Sequence, residues 1–444
     1  MRMALIVVLC LSLTFAHDAK VAWPRDVNSR GAARVVNSES LKGQILCGYQ
    51  GWFCCPGDGS SLNRWKHWFS DGNPAAENLT VDMYPDVSEY DENDLFESDI
   101  PLKNGRGNAR FFSSFRPNVV RKHFEWMRDY GIAGVFHMRF MENLDKPYPR
   151  EFKTQVLRNV KHAAEATGRV FAVSYNIAGK TVNEQVLDDL RADWVRLVDE
   201  EKVTQGGRYL HHNGLPVLRI YGIGFKAVNV ANTKKMADLI AWFKNPKNKK
   251  YRAFLIGGVP SGWRQRNRDS REEPGWSAIY NSLDGIHPWH VGRWTSVKGF
   301  ANYYQQTIAE DAKYCSKQGI LYMPTMWPGF SWCNLKQDDP EAAAKRLNSI
   351  PRRGGVFMWA QACQFAQDPR INTVWMAQFD EVDEGTAIFK VAASRKDVPA
   401  GGRWLTLDAD GLSLPNDWYL RLCGEAQKML AGKAWISMTI PLKP

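Results

Sequence analysis

Apolar residues in this chain fall into short, nearly continuous runs separated by segments with a helical period. The runs are 44–53 (QILCGYQGWF), 131–140 (GIAGVFHMRF), 170–177 (VFAVSYNI), 215–222 (LPVLRIYG), 253–259 (AFLIGGV), 283–291 (LDGIHPWHV), 319–327 (GILYMPTMW) and 372–379 (NTVWMAQF). Runs of this kind suit parallel strands covered on both faces. Between them apolar positions recur every three or four residues: Val120, Phe124 and Met127; Phe152, Val156, Val160 and Ala163; Val186, Leu190, Trp194 and Leu197; Met236, Leu239, Ile240 and Phe243; Phe300, Tyr303, Thr307 and Ile308. That is the spacing of helices with one buried face. Eight such runs alternating with helices predict an α/β fold, a single (β/α)8 TIM-type barrel with long βα loops. The barrel is expected over 44–399, followed by a tail, 400–444, with one helix from Asp417 to about Leu430 packed on it. No Pro/Gly-rich linker or internal repeat divides the chain, which reads as one domain.

The connections are unequal. Residues 54–116 hold few apolar runs, many Asp, Asn, Gly and Ser, and the cluster RWKHWF. A loop of that length is usually functional, and in a barrel it would lie over the carboxyl ends of the strands, where active sites form. Its apolar content is too small to predict a core of its own.

Residues 1–16 (MRMALIVVLCLSLTFA) combine a basic start, a short apolar stretch and small residues before His17. They are expected to be a cleaved signal peptide, with cleavage after Ala16 and a secreted or periplasmic product. Residues 17–43 are then an N-terminal approach segment. No later stretch is apolar enough for a membrane span. Seven cysteines follow the leader, and an oxidising compartment predicts a bridge from Cys54 or Cys55 to Cys333 or Cys47. The net charge of +11 arises in loop-like runs such as 245–252 and 264–271. These runs lack the basic helix or aromatic interleaving of a nucleic-acid site, so no nucleic-acid partner is predicted. Attraction to an acidic polysaccharide is open to such a surface.

The chemistry concentrates at strand ends. His137 and Arg139 end the second run, Tyr175 and Asn176 the third, Tyr221 the fourth, Trp289 and His290 the sixth, and Trp327 the seventh; Asp380, Glu381, Asp383 and Glu384 follow the eighth. The first loop adds Trp65, His67, Trp68 and Tyr84. GxSxG, HExxH, Walker and GxGxxG patterns are absent. His287, His290 and Asp380 have no ligand spacing on one element, so no metal is predicted. Crowded, partly desolvated carboxylates cannot all ionise, which raises at least one carboxyl pKa. Such a pair among aromatic rings is the equipment of glycosidic bond cleavage, one carboxyl donating a proton and the other acting as base or nucleophile. A solvated Asp-rich turn capped by Gly385 is the structural alternative.

FDEVDEGTAIF (379–389) resembles the eighth-strand pattern of the glycoside hydrolase family 99 (endo-α-mannosidase-like) and family 71 group, matching at Phe379, Glu381, Glu384, Gly385, Thr386 and Ile388. RGGVFMWAQA (353–362), GIAGVFHMRF, NGLPVLRIYG and YMPTMWPGF are similar to further segments of the family, so the resemblance runs from about Gly48 to Lys390. It implies Glu384 as general acid/base and Glu381 as the carboxylate that assists attack by the sugar's own 2-hydroxyl, with retention and no metal or organic cofactor. Asp380, Val382 and Asp383 stand where the family pattern has Asn, Trp, and His or Gly. The substrate implied is a polysaccharide or oligosaccharide: an α-mannan, an α-glucan or another. The expectation is therefore an endo-acting, monomeric glycoside hydrolase. Trp65, His67, Trp68, Tyr84, His137, Arg139, Tyr175, Asn176, Tyr221, Trp289, His290, Trp327 and Asp380 would contact substrate. The alternative is a carbohydrate-binding barrel without catalysis.

Overall fold

The computed structural model describes residues 35–444 apart from 145, 180, 181 and 338. The expected signal peptide and most of the approach segment lie outside the described residues. In chain order the strands are β1 (Gln44–Tyr49), β2 (Leu95–Pro101), β3 (Asn108–Phe112), β4 (Gly134–Phe140), β5 (Val170–Asn176), β6 (His211–His212), β7 (Leu215–Tyr221), β8 (Phe254–Val259), β9 (Gly285–Pro288), β10 (Leu321–Tyr322), β11 (Thr325–Met326) and β12 (Thr373–Met376). The helices are α1 (Pro117–Asp129), α2 (Pro147–Thr167), α3 (Val186–Asp199), α4 (Thr233–Lys244), α5 (Gly275–Asn281), α6 (Val297–Tyr303), α7 (Ala309–Gln318), α8 (Pro340–Arg346), α9 (Val356–Gln367) and α10 (Trp418–Leu430).

The parallel strands run in the order β10, β9, β8, β7, β5, β4, β1, β12, β11. The seventh apolar run supplies both ends of this list. Leu321–Tyr322 pairs with β9 and Thr325–Met326 with β12. Pro324, which has no N–H to give a ladder, lies between the two pairings, and its carbonyl accepts from Trp375 N at 3.0 Å. One broken strand thus closes an eight-stranded (β/α)8 barrel.

The pleat decides which side chains enter the barrel. Trp375 fills its centre, stacked on Phe136 at 5.1 Å, beside His287 at 4.7 Å and under the Arg219 guanidinium at 4.2 Å. Gly48 leaves the room for it, since a Cβ there would lie 2.6 Å from the Trp375 ring. Alternate residues point outward: His123 of α1 bonds Tyr49 at 2.8 Å, and Asp193 of α3 bonds both Arg139 and Tyr175. At the barrel's other end, the Gln427 side chain of α10 accepts from Ile45 N at 2.7 Å, fastening the last helix to β1.

The first loop departs from expectation. It contains the antiparallel hairpin β2–β3 and builds an aromatic core from Phe53, Trp65, Trp68, Phe69, Phe111 and Phe112. Bulky rings bury enough area that few apolar residues suffice. The expected disulfide is also absent: all seven described cysteines are buried free thiols. The Cys54 thiol donates to Asp58 at 3.3 Å and that of Cys55 to the Phe112 carbonyl at 3.3 Å. No described helix is long and apolar enough to cross a membrane.

Candidate active site

After β12 the chain turns over the carboxyl end of the barrel, and four acids leave the turn in different directions. Asp380, wholly buried, accepts from Gln50 N at 2.7 Å and Gly51 N at 2.9 Å. It fastens the end of β1 to the acid turn. Burial raises its carboxyl to about 7 despite those two amides. Glu381, only 6% exposed, accepts from the Gln50 side-chain amide at one oxygen and from the Thr386 hydroxyl at the other, at 2.7 Å. Burial, followed by the charges of Glu384 and Asp383, pushes Glu381 well above the usual carboxylate range. Burial and Glu384 do the same to Asp383.

Glu384 is more open to solvent than its neighbours and accepts no hydrogen bond among the described residues. Burial raises it to about 7, with the nearby Lys336 ammonium pulling the other way. Two donors favour the anion at Glu381 and none does so at Glu384. Both carboxyls are raised, so the pair together retains a proton near neutrality.

A fifth acid braces the turn from the first loop. Asp82 accepts from Ser331 Oγ, from Cys333 N at 2.8 Å and from Asn334 N at 2.7 Å. Its own N–H donates to the Val382 carbonyl at 2.9 Å, and Ser331 N donates to the Glu384 carbonyl at 2.9 Å. The acid turn, the first loop and the loop after β11 are thereby tied into one unit. Burial lifts Asp82 to about 6.

Beside the acids lies a cleft of about 440 Å³ lined by Arg64, Trp65, Lys66, His67, Leu335 and Asp383, among others. His67 stacks on Trp52 at 4.2 Å with the rings 7° from parallel, and Trp52 stacks in turn on Phe140 at 5.2 Å. Across the mouth, Tyr221 meets Trp289 at 5.7 Å, and the charges of Glu384 and Glu381 add to the burial that raises its phenol. Asn176 ends β5 facing the mouth, with its Oδ1 accepting from Ala178 N at 2.8 Å. Two other recesses, about 370 Å³ beside Asp193 and about 840 Å³ beside the β2–β3 hairpin, touch none of the four acids of the turn.

The expected substrate contacts thus divide. His67, Trp65, Asn176, Tyr221 and Trp289 gather at the mouth with the acids. Eight others are taken up by the protein itself. Arg139 and Tyr175 point outward, where Asp193 accepts from Arg139 Nε at 2.5 Å and Nη2 at 2.8 Å and from the Tyr175 hydroxyl at 2.7 Å. His137, one residue out of phase with Phe136, is buried against Tyr49. His290 is enclosed by Tyr303 and Trp294, and Trp327 by Trp294 and Phe357. Trp68 stacks on Phe53 at 4.0 Å and donates to the Phe112 carbonyl at 2.9 Å. Tyr84 exchanges hydrogen bonds with the backbone of Arg110 at 2.9 and 3.1 Å, and lines the recess by the hairpin. Asp380, as described, is spent on backbone amides. Gln50, Trp52, Lys66 and Lys336 escaped the sequence reading. For Gln50 and Trp52 a signal existed, because they close the first apolar run, just past the end of its strand, as the acids come just past the end of the last.

The protein is an eight-stranded parallel barrel with carboxylates crowded at the carboxyl end of its last strand. Its fold is that of known glycoside hydrolases. A structure of the family 99 endo-α-mannosidase from Bacteroides thetaiotaomicron, in complex with bis-tris propane, superposes with a TM-score of 0.60 at 16% identity, covering 88% of this chain and 98% of that one. A second structure of the family 99 endo-α-mannosidase from that organism gives 0.62 at 14% identity, covering 89% and 99%. At such identity the likeness is one of fold. No protein-family model matches the chain, and no curated protein matches it.

Proposed function

We propose that this protein is a secreted, endo-acting glycoside hydrolase that cleaves α-glycosidic bonds in a polysaccharide or glycan, with retention. The observation that carries the reading is the unequal solvation of two glutamates on one turn: Glu381 buried and anchored by Gln50 and Thr386, Glu384 without a donor and more open to solvent. Glu384 gives its proton to the leaving oxygen as the bond to the anomeric carbon breaks. Glu381 takes the proton of the sugar's 2-hydroxyl, whose oxygen attacks that carbon. Water then opens the resulting ring: its oxygen bonds the anomeric carbon as one of its protons returns to Glu384, and Glu381 gives its proton back to the 2-oxygen as the ring C–O bond breaks. The nucleophile belongs to the substrate, so carboxylate separation does not set the stereochemistry as it does for ester-forming enzymes. The family resemblance of residues 379–389 and the fold of the endo-α-mannosidase structures support this assignment of roles.

A panel of α-mannans, α-glucans and acidic polysaccharides with reducing-end detection tests the proposal. Wild type is expected to release new reducing ends from at least one, and Glu384→Gln and Glu381→Gln to lower turnover by ~100-fold or more while remaining folded. Saturable binding without cleavage would make the protein a carbohydrate-binding barrel instead.

A further inference from the structure

One buried cation holds the acid turn by its backbone. The turn closes on itself, with Thr386 N and Ala387 N both donating to the Glu381 carbonyl, at 3.1 and 3.0 Å, and the Thr386 hydroxyl reaching Glu381 Oε2 at 2.7 Å. Four successive carbonyls are then left to be satisfied from outside it. That of Glu384 accepts from Ser331 N at 2.9 Å and that of Thr386 from Gln378 N at 3.3 Å. The other two, of Gly385 and Ala387, share a single donor group: Arg352 Nη2 lies 2.7 Å from each.

Arg352 comes shortly before α9 and is 3% exposed. A guanidinium is costly to take out of water unless it is paired and hydrogen-bonded. Arg139 meets that need with Asp193. Arg352 meets it with the two carbonyls and with the ring of Tyr419 in α10, whose centroid is 4.5 Å from the guanidinium carbon; Asp410 acts on its charge without pairing with it. Room for its stem comes from Gly329, in the loop after β11, where a Cβ would stand 2.6 Å from Arg352 Cγ and 2.8 Å from the Ile350 carbonyl.

We propose that Arg352 is a positioning residue for the carboxylate pair, acting on both glutamates through the backbone of the turn. Its two hydrogen bonds fall on either side of Thr386. One fixes the residue that directly follows Glu384, and together they hold Thr386, whose hydroxyl favours the Glu381 anion. Without them two buried carbonyls lose their donor and the turn is free to shift. A displacement of about 1 Å in a reacting group costs up to about 100-fold in rate. This rests on the glycan-cleaving reading of Glu381 and Glu384 and adds to it the residue that keeps them in place.

The test separates positioning from plain stability. Arg352→Met deletes the donors, Arg352→Lys keeps the charge with a shorter reach, and Gly329→Ala leaves Arg352 in the chain while crowding its stem. Trp194→Ala, in α3 between Tyr209 and Phe243, is the control for lost stability away from the turn. Each variant is assayed below its own melting transition on the glycan that wild type cleaves. Arg352→Met is expected to lower kcat at least about tenfold with KM within about twofold, Arg352→Lys to recover part of that loss, and Gly329→Ala to follow Arg352→Met in milder form. The acid limb of the pH–rate profile should move to higher pH, because Glu381 loses the firm support of Thr386. Hydrogen exchange at the amides of 384–388 should quicken by about tenfold or more in Arg352→Met. Trp194→Ala should lower the melting temperature and leave kcat, the acid limb and exchange in the turn at wild-type values. Equal kcat losses in Arg352→Met and Trp194→Ala, or an unmoved acid limb with unchanged exchange at 384–388, make Arg352 a structural residue only and overturn the proposal. If wild type cleaves no glycan, the hydrolase reading falls and exchange in the acid turn decides the clamp by itself: faster exchange in Arg352→Met leaves it standing, and an unchanged rate removes it.

Discussion

Two glutamates three residues apart differ because of what touches them. Glu381 has a donor at each oxygen, whereas Glu384 has only the charge of Lys336 nearby. Since Glu384 must carry a proton to act as acid and sits at about 7, turnover should fall as pH rises through about 7. A pH–rate profile checks this, and an alkaline limb two units higher would reassign the acid. Gln50 tests the other half of the pair. Losing its amide in Gln50→Ala removes a hydrogen bond that favours the Glu381 anion, so the acid limb should move to higher pH and kcat should drop by about tenfold. A merely structural glutamine would lower the melting temperature and leave the limb in place.

At the scale of elements, the first loop is a small folded unit rather than a flexible cover. Its hairpin β2–β3, its ring cluster and the Asp82 clasp onto residues 331–334 hold it against the acid turn. Trp68 is wholly buried in that cluster, so Trp68→Ala is expected to cost ~3–5 kcal/mol of stability, as emptying a large aromatic site does. Michaelis constants for oligosaccharides should hardly move at temperatures where the variant is folded. Thermal melts and steady-state kinetics read the two quantities separately; a stable variant with a raised Michaelis constant would return Trp68 to the substrate.

Across the whole molecule, the buried acids couple folding to pH. Asp380 and Glu384 at about 7 and Asp82 at about 6 hold protons that the unfolded chain, near 3.8 to 4.5, has already released. Their contribution is complete below the unfolded values and is lost as pH climbs through 6 to 7. His137 and His290, lowered to about 3 by burial, act oppositely, since below their ordinary value of 6.5 the unfolded chain binds protons that the native state excludes. The share of one group therefore shows as a difference between proteins. Relative to Glu384→Gln, wild type should lose melting temperature steadily between about pH 5 and 7.5; a difference that does not change with pH would place the Glu384 carboxyl at an ordinary value.

The number of barrel strands, their order of appearance and the acid turn are properties of the sequence alone, because burial on both faces demands apolar runs and helices demand their own period. The run 319–327 already contained the proline that breaks the seventh strand. Tertiary structure decided which way each strand-end side chain points. His137, Arg139 and Tyr175 sit at strand ends as read, yet the pleat turns them toward the helices, while Gln50 and Tyr221 turn inward; a shift of one residue reverses the face. The first loop could not be read for a related reason. Its core is made of rings brought together from residues 53 to 112 and tied across to 331–334, and neither periodicity nor composition encodes contacts between segments so far apart. The inequality of Glu381 and Glu384 arises the same way: the chain supplies two identical carboxylates, and Gln50, more than three hundred residues upstream, makes them different.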